Sequence, residues 1–268
     1  MTRAARRAEP ESDAANARAA QLRGLSEDGA AIVAIAGVEA HCDPYGGLWL
    51  PDWDALVVSD LHFEKASHFA EAGYLVPPYD TARTLDALEA MAARYRPGTI
   101  VSLGDAFHDP RGPSRMMLPD RARLDALQVG RDWVWVTGNH DPGPLEGADG
   151  APLEGESVDV LELGPLRLVH EPAPAPAPGE IAGHLHPVAR LASPRRSGGS
   201  GRSGRARAVR RPCFACDGER MVMPAIGAFT GGLSVRAAPF RGLFDRGRLI
   251  AHMLGADRVY SVPGSSLS

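Results

Sequence analysis

The chain has 268 residues, 44% hydrophobic and 23% charged, which excludes a wholly disordered protein and allows one large domain or two small ones. Its net charge of −4, from 29 basic and 33 acidic residues, is not the overall basic balance typical of nucleic-acid-binding domains. No apolar run approaches the ~18 residues of a membrane span, and no apolar core of a secretory signal follows the first arginines, so a cytoplasmic protein without membrane partners is expected.

Residues 1–28, rich in Ala, Arg, Glu and Ser, predict a disordered N-terminal tail before a single domain over 29–262, with a short C-terminal tail at 263–268. Ala31–Ala36 reads as the first strand, Asp43–Gly47 as a turn, and Leu48–Leu50 as its hairpin partner. Ala55–Ser59 is a short apolar run typical of a strand buried on both faces. Apolar residues at helical spacing (Leu85, Leu88, Met91, Ala92) predict a helix over Tyr79–Arg94, stopped by Pro97-Gly98. Thr99–Leu103 is a second buried strand, 114–129 a helix, and Asp132–Thr137 a third strand. This alternation predicts a parallel α/β core.

After Gly150 the pattern changes to short strands, at Ser157–Leu161, Leu166–His170, Glu180–Gly183, Val188–Leu191, Pro212–Ala215 and Met221–Pro224. This half predicts a mostly antiparallel sheet, so the fold class is α/β with two packed sheets flanked by helices. Two low-complexity stretches interrupt it. Pro172–Pro178 alternates Pro and Ala and predicts extended polyproline. Residues 194–208 form a flexible Arg/Gly/Ser loop.

Each buried strand of the first half ends in residues that ligate metals: Asp60 and His62, then Gly104-Asp105, then Gly138-Asn139-His140-Asp141. Loops leaving the carboxyl ends of neighbouring parallel strands meet in space. The second half adds His170 at a strand end and Gly183-His184-Leu185-His186 between strands. One Asp-x-His pair alone carries little weight, but the set as a whole does. Asp60, His62, Asp105, Asn139, His170, His184 and His186 are too many donors for one tetrahedral ion. They suit two cations about 3.5–4 Å apart that share a carboxylate, with Asp105 the natural bridge, and such pairs serve phosphoryl displacement. Nitrogen and oxygen donors without thiolate favour Mn, Fe or Zn.

These motifs, in this order, resemble those of the calcineurin-like metallophosphoesterases across residues 60–186. The resemblance implies that Asp60, His62, Asp105 and His186 hold one metal and that Asp105, Asn139, His170 and His184 hold the other. It also implies that His140 is the catalytic histidine that contacts the scissile phosphate, and that two divalent ions, Mn(2+) foremost, are the cofactors. Asp60–Lys65, Pro77–Thr81 and Pro224–Gly232 further resemble the bacterial ligase-associated DNA damage response endonucleases of the PdeM type. That narrower likeness implies a DNA phosphodiester substrate and a functional association with a DNA ligase/helicase repair system. A phosphomonoesterase or nucleotide hydrolase using the same centre is the alternative, and a non-catalytic scaffold would be expected to have lost some of these residues.

Several residues keep two readings. His108 either touches substrate or hydrogen-bonds Asp109. Asp141 either orients the His140 imidazole or belongs to an ordinary Asp-Pro turn. His41, His68 and His252 lack a motif and read as structural or solvated. Alternation along a strand would point Cys213 and Cys216 to opposite faces, against a redox pair or half a zinc site. The seven arginines between Arg195 and Arg211 read as a solvated insertion or as a sequence-independent phosphate clamp. The absence of aromatic residues in that loop favours the insertion.

Overall fold

Buried and half-buried residues alternate along Ala31–Ile35 (β2) and Val38–Cys42 (β3), and these strands pair through a tight turn at Ala36-Gly37, both with positive φ. The computed structural model describes residues 24–143, 145–148, 150–192 and 208–268. Its first sheet has eight strands lying side by side in chain order. β1 (Gly24–Leu25), β2, β3, β4 (Leu48–Leu50) and β5 (Ala55–Val58) run antiparallel, each to the next. β6 (Thr99–Leu103), β7 (Asp132–Val136) and β8 (Glu156–Val158) then follow β5 in parallel.

The crossovers carry α1 (Lys65–Glu71), α2 (Asp80–Tyr95), α3 (Gly112–Arg115) and α4 (Leu118–Gln128). Leu85, Leu88 and Met91 of α2 and Leu124 of α4 pack on one face of the sheet against Leu56, Val58, Ile100 and Trp133. The other face, with Val57, Val101 and Val134, packs on Leu168, Ile181, Phe214 and Met221 of a nine-stranded second sheet. Strands β5 and β6 are therefore buried at every position. The second sheet contains β9 (Leu161–Leu163), β10 (Leu166–Val169), β11 (Glu180–Ala182), β12 (Pro187–Ala192), β13 (Ala208–Cys216), β14 (Met221–Val222), β15 (Leu233–Ser234), β16 (Ile250–Leu254) and β17 (Val259–Pro263). The fold is α/β, with two packed mixed sheets and helices outside.

Several details differ from the sequence reading. Leu48–Leu50 pairs with β3, a strand whose polar Glu39 and His41 hide its apolar alternation. The strand expected at 157–161 divides, Glu156–Val158 joining the first sheet in parallel while Leu161 opens the second. The second sheet is mostly antiparallel, as expected, but three of its pairings, β10–β11, β11–β14 and β12–β15, run parallel. A parallel return needs a long connection, and the Ala-Pro run supplies it between β10 and β11. The last six residues are not a free tail: Leu267 is buried and the Ser268 N–H donates to the Arg190 carbonyl at 2.9 Å. At the other end, Gly24 and Leu25 are already paired. The rest of the expected N-terminal tail, residues 1–23, and residues 194–207 of the expected loop lie outside the described residues.

A buried ion pair between Arg220 and Glu180 sits beneath the Ala-Pro connection. The guanidinium also donates to the carbonyls of Ala173, Ala175 and Leu243 at 2.5, 3.1 and 3.3 Å, while Glu180 accepts the Ala173 N–H at 3.0 Å. Arg220→Met leaves the buried carboxylate only the Ala173 N–H and a 3.4 Å contact with Arg167 and frees the connection, so we expect it to cost about 3–5 kcal/mol in urea unfolding. A loss under about 1 kcal/mol would mean that Glu180 finds another partner.

His252 on β16 is buried, with Nδ1 2.8 Å from Ser261 Oγ, and burial lowers its pKa to about 4. The unfolded chain protonates this residue near pH ~6.5. Its contribution to stability is therefore complete above that pH and is lost as pH falls towards the folded value, by about 3 kcal/mol at pH 4. His252→Gln should flatten the stability profile between pH 7 and 4. An unchanged slope would assign acid sensitivity to other groups.

Candidate metal centre

The carboxyl ends of β5, β6 and β7 turn towards the second sheet, and their terminal loops meet those after β10 and β11. Two clusters result: Asp60, His62 and His186, then Asp105, His170 and His184, with candidate ligand atoms within 4.8 Å of one another in each. Asp105 stands between them. Its Oδ2 lies 3.8 Å from His62 Nε2, and its Oδ1 lies 3.4 Å from His170 Nε2. Asn139 joins the second cluster through Oδ1, 2.9 Å from His170 Nε2. All seven expected ligands are thus brought together.

The backbone bends sharply to achieve this. Asp60, His62, Asp105, His184 and His186 all have positive φ, a conformation few non-glycine residues adopt. Close packing fixes the rest. A Cβ on Gly104 would enter the His170 ring, and one on Gly183 would collide with Ser59 Oγ. These glycines let the loops approach so closely.

Hydrogen bonding aims the donors inward. His170 Nδ1 donates to the Leu103 carbonyl at 2.9 Å, which leaves a lone pair on Nε2. That lone pair faces the oxygens of Asn139 and Asp105, so three acceptors converge, an arrangement a cation satisfies. Burial lowers His62 to about 3 and also lowers His184, so both imidazoles are neutral at pH 7. Burial opposes charge on Asp60 and His186 as well. Their 3.1 Å contact outweighs it, lowering the carboxyl and raising the imidazole. The donor chemistry fits two divalent ions sharing Asp105.

His140 lies beside this centre, with Nε2 4.0 Å from Asp105 Oδ2. Its Nδ1 donates to the His108 carbonyl at 2.9 Å, and the His108 ring stacks on it at 5.0 Å. Asp141 does not orient the imidazole. Its buried carboxylate instead accepts the N–H groups of Gly138, Asp105, Ala106 and Phe107, clamping the Asp105 loop. Burial and the Asp105 charge push its pKa to about 7 against those hydrogen bonds. Asp109 engages His68 and Arg115 rather than the His108 ring.

Two contributors escaped the sequence reading. Ser59 Oγ donates to Asp60 Oδ2 at 2.5 Å, and its place directly before Asp60 was the available signal. His68, with its ring 4.8 Å from that of His108, has no motif that could reveal it. Cys213 and Cys216 are buried on opposite faces of β13, and burial raises both thiols, Cys216 to about 12.

Two mixed sheets with carboxylates and imidazoles gathered at their strand ends define a metallophosphoesterase fold. Residues 55–187 match the calcineurin-like phosphoesterase family, so this segment is a metallophosphoesterase domain. Among solved structures it resembles Pseudomonas putida nuclease MPE, with 25% identity, a TM-score of 0.63, and coverage of 87% of this chain and 100% of that one. A fainter likeness, to the E. coli phosphoesterase Yfce, has 17% identity and a TM-score of 0.36, covering 78% of this chain and 98% of that one. No curated protein matches the sequence. No helix among the described residues is long and apolar enough to cross a membrane.

Proposed function

We propose that this protein is a binuclear-metal phosphodiesterase that cuts nucleic acid, acting as a DNA endonuclease in a bacterial damage response in the cytoplasm. The observation that carries this reading is the pair of ligand clusters joined by Asp105. The likeness to a nuclease along its whole length supports the substrate, and the PdeM-like segments support a setting shared with a ligase/helicase repair system.

In this reading Asp60, His62, Asp105 and His186 hold one ion, and Asp105, Asn139, His170 and His184 hold the other. Mn(2+) is the first candidate, followed by Fe and Zn. Bound ions supply Lewis acidity to phosphoryl oxygens and activate water near neutral pH. The chain's own residues do the positioning. His140, held through Nδ1 by the His108 carbonyl and flanked by the His108 ring, presents Nε2, which in the imidazolium form carries the proton given to an oxygen of the phosphate or leaving group. Asp141 holds the 105–107 backbone so that Asp105 can face both clusters.

Comparing DNA, a cyclic nucleotide and a phosphomonoester with added Mn(2+) tests the proposal. Fast monoester hydrolysis without cutting of DNA or RNA would overturn it in favour of the phosphomonoesterase. Deleting residues 194–208 tests the arginine loop separately. If it contacts phosphates, the deletion should weaken DNA binding and reduce its salt slope by about 0.9 per lost contact. Small-diester hydrolysis should persist because every ligand remains. An unchanged slope would make the loop a tolerated insertion.

A further inference from the structure

Phe229 occupies a position that neither burial nor backbone geometry favours. Its side chain is half exposed, and its φ of +61° lies in the left-handed region that suits glycine and strains an aromatic residue. An exposed ring gains little from the hydrophobic effect, so folding alone does not offset that strain.

The surrounding loop is fastened directly to the candidate metal ligands. The N–H groups of Ile226 and Gly227 donate to the carbonyls of Ser59 and Asp60, each at 3.1 Å. On the other side, the Gly231 carbonyl lies 3.3 Å from His186 Nδ1, and the Leu233 N–H donates to the His186 carbonyl at 3.1 Å. Between these ties, the Ala228 N–H donates to Thr84 Oγ1 at 3.1 Å and Thr230 Oγ1 to the Gly227 carbonyl at 2.7 Å. Phe229 is two residues from Gly227 and two from Gly231, which limits it to about 8 Å from either. At the foot of the loop, exposed Arg210 donates through Nη2 to the Gly232 carbonyl at 2.7 Å.

We propose that Phe229 is a stacking platform for a nucleobase next to the phosphodiester being cut, with the Arg210 guanidinium placed for a neighbouring phosphate. This inference rests on the nucleic-acid substrate proposed above and names the residues that hold it. An exposed aromatic ring on a fastened loop, with a cation tied to the same loop three residues on, holds nucleotides without reading their sequence, because every base has a stacking face. The metal centre by itself binds only the phosphate.

Phe229→Gly provides the test, because glycine relaxes the backbone while removing the ring. Tm should stay the same or rise, whereas KM for a DNA oligonucleotide should rise about tenfold with kcat changed by less than about twofold. In a His140→Ala background, where DNA stays intact, anisotropy should show Kd weakened by the same factor. Phe229→Trp should retain tight binding. An abasic residue scanned along the strand should impair the wild type at one position beside the cut and leave Phe229→Gly indifferent there. Unchanged KM and Kd in Phe229→Gly would overturn the proposal, as would a wild type indifferent to abasic residues or a variant that loses only Tm. A wild type that cuts no nucleic acid would instead sink the substrate reading, before any variant is compared.

Discussion

His140→Ala should lower turnover by about 10²- to 10⁴-fold while each chain keeps its full complement of metal. The two effects separate because His140 is not among the converging donors. Its Nδ1 is committed to the His108 carbonyl, and its Nε2 stays 4.0 Å from the Asp105 carboxylate, at the rim of the centre. Removing the imidazole takes away a proton donor and leaves both clusters intact. Elemental analysis and steady-state kinetics on the same preparation check this. Near-wild-type turnover at saturating metal would refute the role, and loss of metal would make His140 a ligand instead.

Asp105→Ala should act on the metal first. Its two carboxylate oxygens face different clusters, at 3.4 Å from His170 and 3.8 Å from His62, and Oδ1 also accepts the His140 N–H at 2.9 Å. Without it the clusters lose their common anion, so at most one ion per chain should remain. Turnover should fall by about 10³-fold or more, since each cation contributes several kcal/mol of charge stabilisation. Circular dichroism and Tm establish that the variant is folded. Two ions per chain in a folded Asp105→Ala would refute the bridging assignment whatever happens to the rate.

Much of this centre was legible in the sequence because metal ligation places residue types at fixed local offsets. Asp60-x-His62, Gly104-Asp105, Gly138-Asn139-His140 and Gly183-His184-x-His186 each sit where an apolar strand stops, and strand ends in an α/β sheet converge. The same reasoning found the buried strands β5, β6 and β7, since unbroken apolar runs signal coverage on both faces. It failed at β3, where Glu39 and His41 interrupt the apolar pattern, and at β16 and β17, which follow a segment with no clear periodicity.

What the sequence determined by itself was the set of donors, their order, and the α/β class, because these follow from local patterns of polarity and spacing. The parallel run of β5, β6 and β7 was legible as well, whereas the order in which the strands of the second sheet pair was settled only in three dimensions. The Ala-Pro run could be read as extended, but only its attachment to Arg220 and Glu180 shows that it is the crossover of a parallel pair. The hydrogen-bond partners of Asp141, His108 and Ser59 were visible only there too. Asp141 clamps the Asp105 loop rather than the adjacent His140 because a buried carboxylate goes to whichever N–H groups surround it, and sequence proximity does not determine which those are.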